Sequence, residues 1–317
     1  MPMQEQGALR MRLTGIRYAA RGIHLYEFQP LAHGELPAFS PGAHIDLHLG
    51  NGLVRQYSLV SSPDDRRRYV VGIKRDPASR GGSAFIHDSL RVGDEIDVTG
   101  PRNNFGLHED AAHSVFVAGG IGVTPIVCMV ERLRALGRSW ELHYSVRRRE
   151  EAAFLDALQD ERLHLHVDAE CGGALLDVPA IVAAAPADAH LYCCGPGPML
   201  DAFEAACGDR PAQRWHVERF TAAKPSASEG GYTVRLAASN RSVDVAPGQT
   251  ILEALRGCGV EVTASCEQGI CGTCETRVLQ GRPDHRDSLL SEQEKKANDV
   301  MMICCSGSLS DLLVLDL

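Results

Sequence analysis

Cys266, Cys271, Cys274 and Cys304 constrain this chain more than any other feature of its sequence. The first three share one run, Ser265 to Cys274, in the spacing C-x4-C-x2-C, and the fourth follows about thirty residues later. That is the spacing of a plant-type [2Fe–2S] site, in which one loop supplies three thiolates and a distant segment closes the shell. Gly269 and Gly272 carry no Cβ, so the loop can fold tightly over inorganic sulfide and aim N–H groups at it. Structural zinc favours paired C-x2-C knuckles, and only Cys271 and Cys274 form one here. A disulfide framework is less expected still. Met1 leads directly into polar sequence, and eleven cysteines without an apolar export segment point to a reducing, cytoplasmic compartment. Cys128, Cys171, Cys207 and Cys258 read as small buried hydrophobes.

Composition narrows the function class. The 317 residues leave room for two or three domains, and the 44% hydrophobic content is ordinary for a globular chain. No apolar run approaches the roughly 18 residues of a membrane span. A formal net charge of −9 argues against nucleic acid as a partner.

The chain changes character along its length. Leu9 to Ile16, Ile23 to Phe28, His44 to Leu49, Tyr57 to Val60 and Tyr69 to Ile73 are short apolar or alternating runs, separated by turns such as Ser40-Pro41-Gly42. Their spacing predicts an antiparallel barrel or sandwich, and Asn51-Gly52 predicts a two-residue hairpin turn. From Ser114 the pattern becomes strand and helix in alternation. A fully apolar strand leads into a helix over Ile126 to Leu136, then a strand over Trp140 to Tyr144, a helix over Glu151 to Leu158, and strands at Leu163 to Val167 and Leu191 to Cys194. This predicts a parallel sheet with helices on its faces. Thr221 to Gly231 is rich in Ala, Ser, Gly and Pro and reads as a flexible linker. Beyond it, a hairpin pattern, a helix over Thr250 to Cys258 and the cysteine loop suit a small β-grasp domain.

Three groups of residues outside the cysteine loop bear on chemistry. Gly119 to Pro125 is a Gly-rich turn from strand to helix, the place where backbone approaches a pyrophosphate and a helix N-terminus favours its charge. Alone it fits a simple tight turn equally well. A second Gly-rich strand end, Tyr192 to Met199 with Cys194, Gly195 and Pro196, adds weight, because two such turns form the crevice where dinucleotides lie. Arg55, Tyr57 and Ser58 offer a guanidinium for phosphate, a ring for a flat ligand and a hydroxyl for a ring nitrogen. Out of context, Arg55 and Tyr57 fit an exposed arginine beside a core tyrosine better. Arg80, Gly81, Gly82 and Ser83 form a nest of N–H groups or a plain loop.

The order Arg-x-Tyr-Ser, Gly-Gly-Ile-Gly-x-Thr-Pro, Cys-Gly-Pro resembles the ferredoxin–NADP⁺ reductase superfamily. With a plant-type cluster segment fused at the C-terminus, the whole chain resembles the phthalate dioxygenase reductase family. The run from Cys266, Pro283 to Asp287 and the ending Leu312 to Leu317 are especially close to vanillate O-demethylase reductase subunits. The resemblance implies an antiparallel β-barrel flavin domain at 1–108, an α/β parallel-sheet nucleotide domain at 109–222, a linker at 223–231 and an α+β β-grasp ferredoxin domain at 232–317. It also implies FMN, NADH and a [2Fe–2S] cluster, electrons passing to a Rieske-type terminal oxygenase, and a monomer.

Carried over by position, Arg55, Tyr57, Ser58 and Lys74 belong to the flavin site, and Arg80 to Ser83 to its phosphate loop. Gly120, Gly122, Thr124 and Pro125, with Cys194, Gly195 and Pro196, match the two nucleotide turns. Phe220 matches an aromatic that ends the nucleotide domain against the flavin. Ser58 and Cys194 are expected nearest the flavin–nicotinamide contact. Ser145 and Arg147 match the adenosine end, where the basic run Arg147 to Arg149 departs from the family and leaves NADPH open beside NADH. The cluster ligands are expected to be Cys266, Cys271, Cys274 and Cys304, with Cys305 left free. Glu267, on the rim of the cluster loop, is expected to help steer a basic partner surface. Two other readings stay open: an FAD-containing reductase of another hydroxylase, and a non-catalytic redox-sensing or electron-carrier module.

Overall fold

The computed structural model describes residues 7–32, 34–79, 81–222 and 224–317. It divides into two compact units, Met1–Glu218 and Arg219–Leu317. In the first unit, strands β1 (Leu9–Ala20), β2 (Ile23–Pro30), β3 (His44–His48), β4 (Val54–Ser58), β5 (Tyr69–Lys74) and β6 (Glu95–Arg102) form an antiparallel sheet in the order β4-β3-β6-β1-β2-β5. A bridge from Leu59, just past β4, to Val71 in β5 joins the two ends, so the sheet curls shut as a barrel. Alternate residues such as Met11, Leu13, Ile45, Leu47, Val71 and Ile73 fill it. Helix α1 (Gly82–Ser89) follows β5 and adds Ile86 to that core.

The Asn51-Gly52 turn is one residue longer than its dipeptide predicts. His48 pairs with Val54 and Leu49 is bonded to Leu53, which leaves Gly50 to Gly52 as a three-residue loop. Gly52 has φ +81, the left-handed residue with which loops of this length end.

The rest of the first unit is a parallel sheet of β7 (Ser114–Gly119), β8 (Trp140–Val146), β9 (Leu163–Val167), β10 (His190–Cys194) and β11 (Trp215–Glu218), ordered β11-β10-β7-β8-β9. Helix α2 (Val123–Ala135) covers one face, and α4 (Val178–Ala184) and α5 (Gly197–Ala206) the other. The helix expected over Glu151 to Leu158 shrinks to a 3₁₀ turn at Arg149–Glu151 and the single turn α3 (Leu155–Leu158). Phe154 between them sits in the left-handed region at φ 64, which a continuous helix does not allow.

Helix α2 fastens the sheet to the barrel. A Cβ on Gly72 of β5 would lie 2.9 Å from Thr124 Cγ2, so only glycine lets the helix come this close. One turn along α2, the Cys128 thiol donates to the Ser61 carbonyl at 3.5 Å. The start of α2 is thereby held against the barrel at the place where β4 runs out.

The second unit carries β12 (Tyr232–Leu236), β13 (Arg241–Val245), β14 (Glu275–Gln280), β16 (Val300–Met302) and β18 (Leu312–Leu315) in a mixed sheet, plus the small pair β15 (Pro283–Asp284) and β17 (Gly307–Ser308). Helix α6 (Ile251–Gly257) packs Ile251, Leu252 and Leu255 into that sheet's core. Its start is fixed by a capping box between Thr250 and Glu253, an arrangement worth about 1 kcal/mol. A short helix α7 (Glu292–Ala297) precedes β16. The linker reading weakens from Ala227 onward. That residue is buried and donates to the Cys305 carbonyl at 2.7 Å, and Gly231 is bonded to Val245. Among the described residues no helix is long and apolar enough to cross a membrane.

Candidate redox site

The barrel end of the site is built on β3 and β4. Ser58 closes β4, is buried, and its hydroxyl has no hydrogen-bond partner among the described residues. Its register partner on β3, His44, is buried too, and His44 Nε2 is likewise unpartnered among those residues. Burial and the nearby Arg102 guanidinium push the His44 pKa down to about 4, so the ring is neutral. Two buried polar groups side by side without partners cost a few kcal/mol unless something bonds to them. The strand pair itself is rigid: Arg102 on β6 donates to both oxygens of Asp46 at 2.6 and 2.7 Å, and Gln56 on β4 donates to the same carboxylate at 3.2 Å.

Arg55, three residues before Ser58, lays its side chain over the first residue of α1. A Cβ on Gly82 would stand 2.6 Å from Arg55 Nε, so the missing side chain is what lets the guanidinium reach the helix start. That helix begins from Gly81 at φ +87, which offers no side-chain cap, and its Ala84 N–H is taken by the Ser79 hydroxyl at 3.3 Å, so an anion there would meet the N–H groups ahead of Ala84. The Ser83 hydroxyl accepts from the Asp76 N–H at 3.2 Å and keeps its own proton to donate. Burial raises the Tyr57 phenol well above its ordinary pKa, so it stays protonated. Lys74 is the last residue of β5. Arg80 lies outside the described residues.

At the carboxyl ends of the parallel strands the two Gly-rich turns touch. A Cβ on Gly122 would lie 2.2 Å from the Cys194 carbonyl oxygen, and one on Gly119 2.5 Å from Pro196 Cδ. Gly120 and Gly122 form the 3₁₀ turn that feeds α2, whose first turn again has no side-chain cap. Thr124 spends its proton on the Ile121 carbonyl at 2.9 Å, and Pro125 is buried beside it. Gly195 packs against Met199 and Gly119. Cys194 is fully buried, and burial keeps its thiol protonated.

Glu218 is a residue the sequence reading missed. It pairs with Cys194 across β10 and β11, its Oε2 is buried without a partner among the described residues, and burial raises its pKa to about 8. The carboxyl is therefore protonated at neutral pH and can donate a hydrogen bond into the crevice. Because its folded pKa is raised, its stabilising contribution is complete below the ordinary carboxyl range and is lost as pH rises through about 8. Thermal melts at about pH 6 and pH 9 check this: Glu218→Gln is expected to narrow the gap between them. An unchanged gap would place the titration elsewhere.

In the second unit Cys266, Cys271, Cys274 and Cys304 are all buried. The Cys266 thiol lies within hydrogen-bonding reach of those of Cys271 and Cys304. The Gln268 N–H donates to Cys266 Sγ at 3.3 Å, the kind of dipole the loop was expected to aim at sulfur. Gly269 and Gly272 take φ +67 and +78, so the loop turns through the left-handed region twice. Its far side is braced by the Ser288 N–H on the Gly269 carbonyl. A donor set of four buried cysteines, with the Cys266 thiol in reach of both Cys271 and Cys304, fits a cluster.

The comparisons with known proteins agree with this geometry. Residues 234–307 match the 2Fe-2S iron-sulfur cluster binding domain. The chain is 53% identical over 309 residues to phenoxybenzoate dioxygenase subunit beta of Ectopseudomonas oleovorans, covering 97% of each. It is 44% identical over 296 residues to the vanillate O-demethylase oxidoreductase of Pseudomonas putida, covering 90% of this chain and 92% of that one. A solved phthalate dioxygenase reductase, described as a modular structure for electron transfer from pyridine nucleotides to [2Fe–2S], is 38% identical, with a TM-score of 0.74 over 99% of both chains. This chain belongs to the phthalate dioxygenase reductase family. It is an oxidoreductase of the kind that serves oxygenase systems.

Some expected site residues of this reductase stand differently from their sequence reading. Cys171, the last residue of the 3₁₀ turn Asp168–Cys171, and Cys258, just past α6, are exposed, not buried. Arg149 is held by Glu170 through two contacts of 2.7 Å, which removes one charge from the basic run. Arg147 is exposed beyond β8, and Ser145, at the end of that strand, donates to Asp168 at 3.3 Å. Phe220 is 38% exposed. Glu267 is tied to Arg256 at 2.6 Å, so its charge is already matched within the loop's own unit and is a weaker steering group than its sequence position implies.

Proposed function

We propose that this reductase takes hydride from NADH onto FMN and sends single electrons through its [2Fe–2S] cluster to a Rieske-type terminal oxygenase. The observation that carries the reading is the junction between β4 and α2. Arg55, set against Gly82 of α1, and the Ser58 hydroxyl, unpartnered among the described residues, lie on the strand whose end meets the helix bearing the Gly122 turn. FMN, when bound, supplies the conversion from a two-electron donor to one-electron carriers.

The chain's own residues then have distinct tasks. Arg55 and the N–H groups of α1 ahead of Ala84 hold the phosphate, as a guanidinium and the N–H groups of a helix start are suited to do. Ser58 and neutral His44 bond the polar edge of the ring system and thereby satisfy their own buried atoms. The two touching turns take the pyridine nucleotide's pyrophosphate and bring its reactive end to Cys194 and Glu218. Cys194 is an uncharged floor, and protonated Glu218 a donor that orients the carboxamide. Hydride transfer needs no general base, and none is assigned. Asp168, bonded to Ser145 at the adenosine end, opposes a 2′-phosphate by charge and favours NADH over NADPH.

Arg55→Ala tests the phosphate contact. Loss of a charge-assisted contact of about 1.5–3 kcal/mol lowers FMN affinity roughly 10–150-fold. The variant is expected to purify largely without flavin and to regain NADH–ferricyanide activity only with added FMN. Unchanged flavin content and affinity would remove Arg55 from the site, and extraction of FAD instead of FMN would overturn the cofactor assignment.

A further inference from the structure

Away from the crevice, three histidines converge at the opposite end of β10. His190 opens that strand, His216 lies beside it on the edge strand β11, and His108 comes from the loop before β7. One nitrogen of each ring lies within 4.8 Å of the other two. His190 Nδ1 and His216 Nε2 are 3.0 Å apart in rings only 6° from parallel. The His108 ring covers both, with centroids at 4.3 and 4.8 Å. The loop that carries it is fixed by the His108 N–H on the Tyr192 hydroxyl at 2.9 Å. Beside the cluster is an open cleft of about 640 Å³ whose lining includes His108, His190, Glu109 and Asp188.

None of these groups has a task in hydride or electron transfer, since His190 and Cys194 stand at opposite ends of one strand. Stacking three imidazoles in a polar cleft is poor core packing, and a hydrogen bond between two of them leaves the third ring's lone pair unused. Three imidazole nitrogens on separate segments are the donor set of a zinc-type cation. Tetrahedral bonds of 2.0–2.1 Å put ligand nitrogens about 3.3 Å apart, so the observed 3.0 Å needs only slight opening. His108 is exposed, and its ring must turn off the stack to bring a nitrogen from within 4.8 Å to ligand distance.

We propose that His108, His190 and His216 form a zinc-class divalent metal site. The bound cation replaces the proton now shared by His190 and His216 and clasps the His108 loop to the edge of the parallel sheet. Its fourth position opens on the cleft and takes water or a small anion. The site is a fastening for the nucleotide-binding half, separate from the redox centre.

Zinc chloride is the probe, applied to the flavin- and iron-loaded protein after removal of loosely held metal. Equilibrium dialysis with metal counting is expected to find one tight zinc equivalent that raises the melting temperature and leaves iron content and NADH–ferricyanide turnover unchanged. Zinc-edge X-ray absorption should show nitrogen neighbours at about 2.0–2.1 Å. His108→Ala, at an exposed position that the fold tolerates, and His216→Gln should each weaken that equivalent by at least about 10-fold and abolish the thermal shift. Glu141, His143 and His164 form a second cluster on the other side of the sheet and provide the control. Binding that survives in both variants, that is lost instead with His143→Ala, or that shows sulfur at about 2.3 Å would overturn the proposal.

Discussion

Cys304→Ser is expected to purify without the visible and EPR signals of a [2Fe–2S] cluster, while Cys305→Ser keeps them. The two cysteines are adjacent and both buried, so neither position nor exposure separates them. Their contacts do. Cys304 reaches the Cys266 thiol, one of the three that the loop supplies. Cys305 turns under the loop instead, so close that a Cβ on Gly269 would lie within 2.4 Å of its sulfur. Its thiol lies in reach of the Cys304 thiol and is otherwise oriented toward the Met302 carbonyl at 3.7 Å and the Ser306 hydroxyl at 3.9 Å. Serine at 304 offers a poor thiolate substitute, and a shell of three does not hold the cluster. NADH–ferricyanide activity should persist in that variant, because Arg55, Ser58, Gly122 and Cys194 all belong to the other compact unit. Iron content per chain decides the matter, and the opposite pattern between the two variants would reassign the ligand.

Gly122→Ala is expected to lower kcat/KM for NADH by about 100-fold or more while leaving flavin content nearly intact. The cause is not backbone strain, since Gly122 has the ordinary helical φ of −62. It is the second Gly-rich turn, whose Cys194 carbonyl oxygen would be 2.2 Å from the new methyl. Backbone cannot yield as a flexible side chain can, so the turns must separate. A displacement near 1 Å between reacting groups costs on the order of 10²-fold. Dithionite needs no nucleotide site, so it should still reduce flavin and cluster in the variant. Wild-type kinetics with NADH would show that the two turns do not form the nucleotide crevice.

The sequence carried the architecture because each unit has its own period. Alternation over Leu9 to Ile73 became a closed antiparallel sheet, and the apolar strands from Ser114 became a parallel one. Cysteine spacing and the glycines at 269 and 272 made the loop legible in the sequence. What stayed hidden depends on contacts between segments distant in sequence. Glu218 looks like a surface acid at the end of an edge strand, and only its pairing with Cys194 marks its carboxyl as buried and protonated. His44 follows an ordinary turn, and its neighbour Ser58 is fourteen residues away. Asp168 is recognisable only through Ser145. The Glu151 to Leu158 helix failed for a local reason, the left-handed Phe154 between its two halves. A periodicity of apolar residues carries no record of that break.

Anaerobic stopped-flow mixing of the intact protein with NADH tests the proposed electron path most directly, with flavin and cluster absorbance followed separately. Flavin bleaching is expected to come first, with cluster reduction following at a rate limited by it. In flavin-depleted Arg55→Ala the cluster should stay oxidised until FMN is added. Cluster reduction by NADH at an undiminished rate in the flavin-free protein would contradict that path.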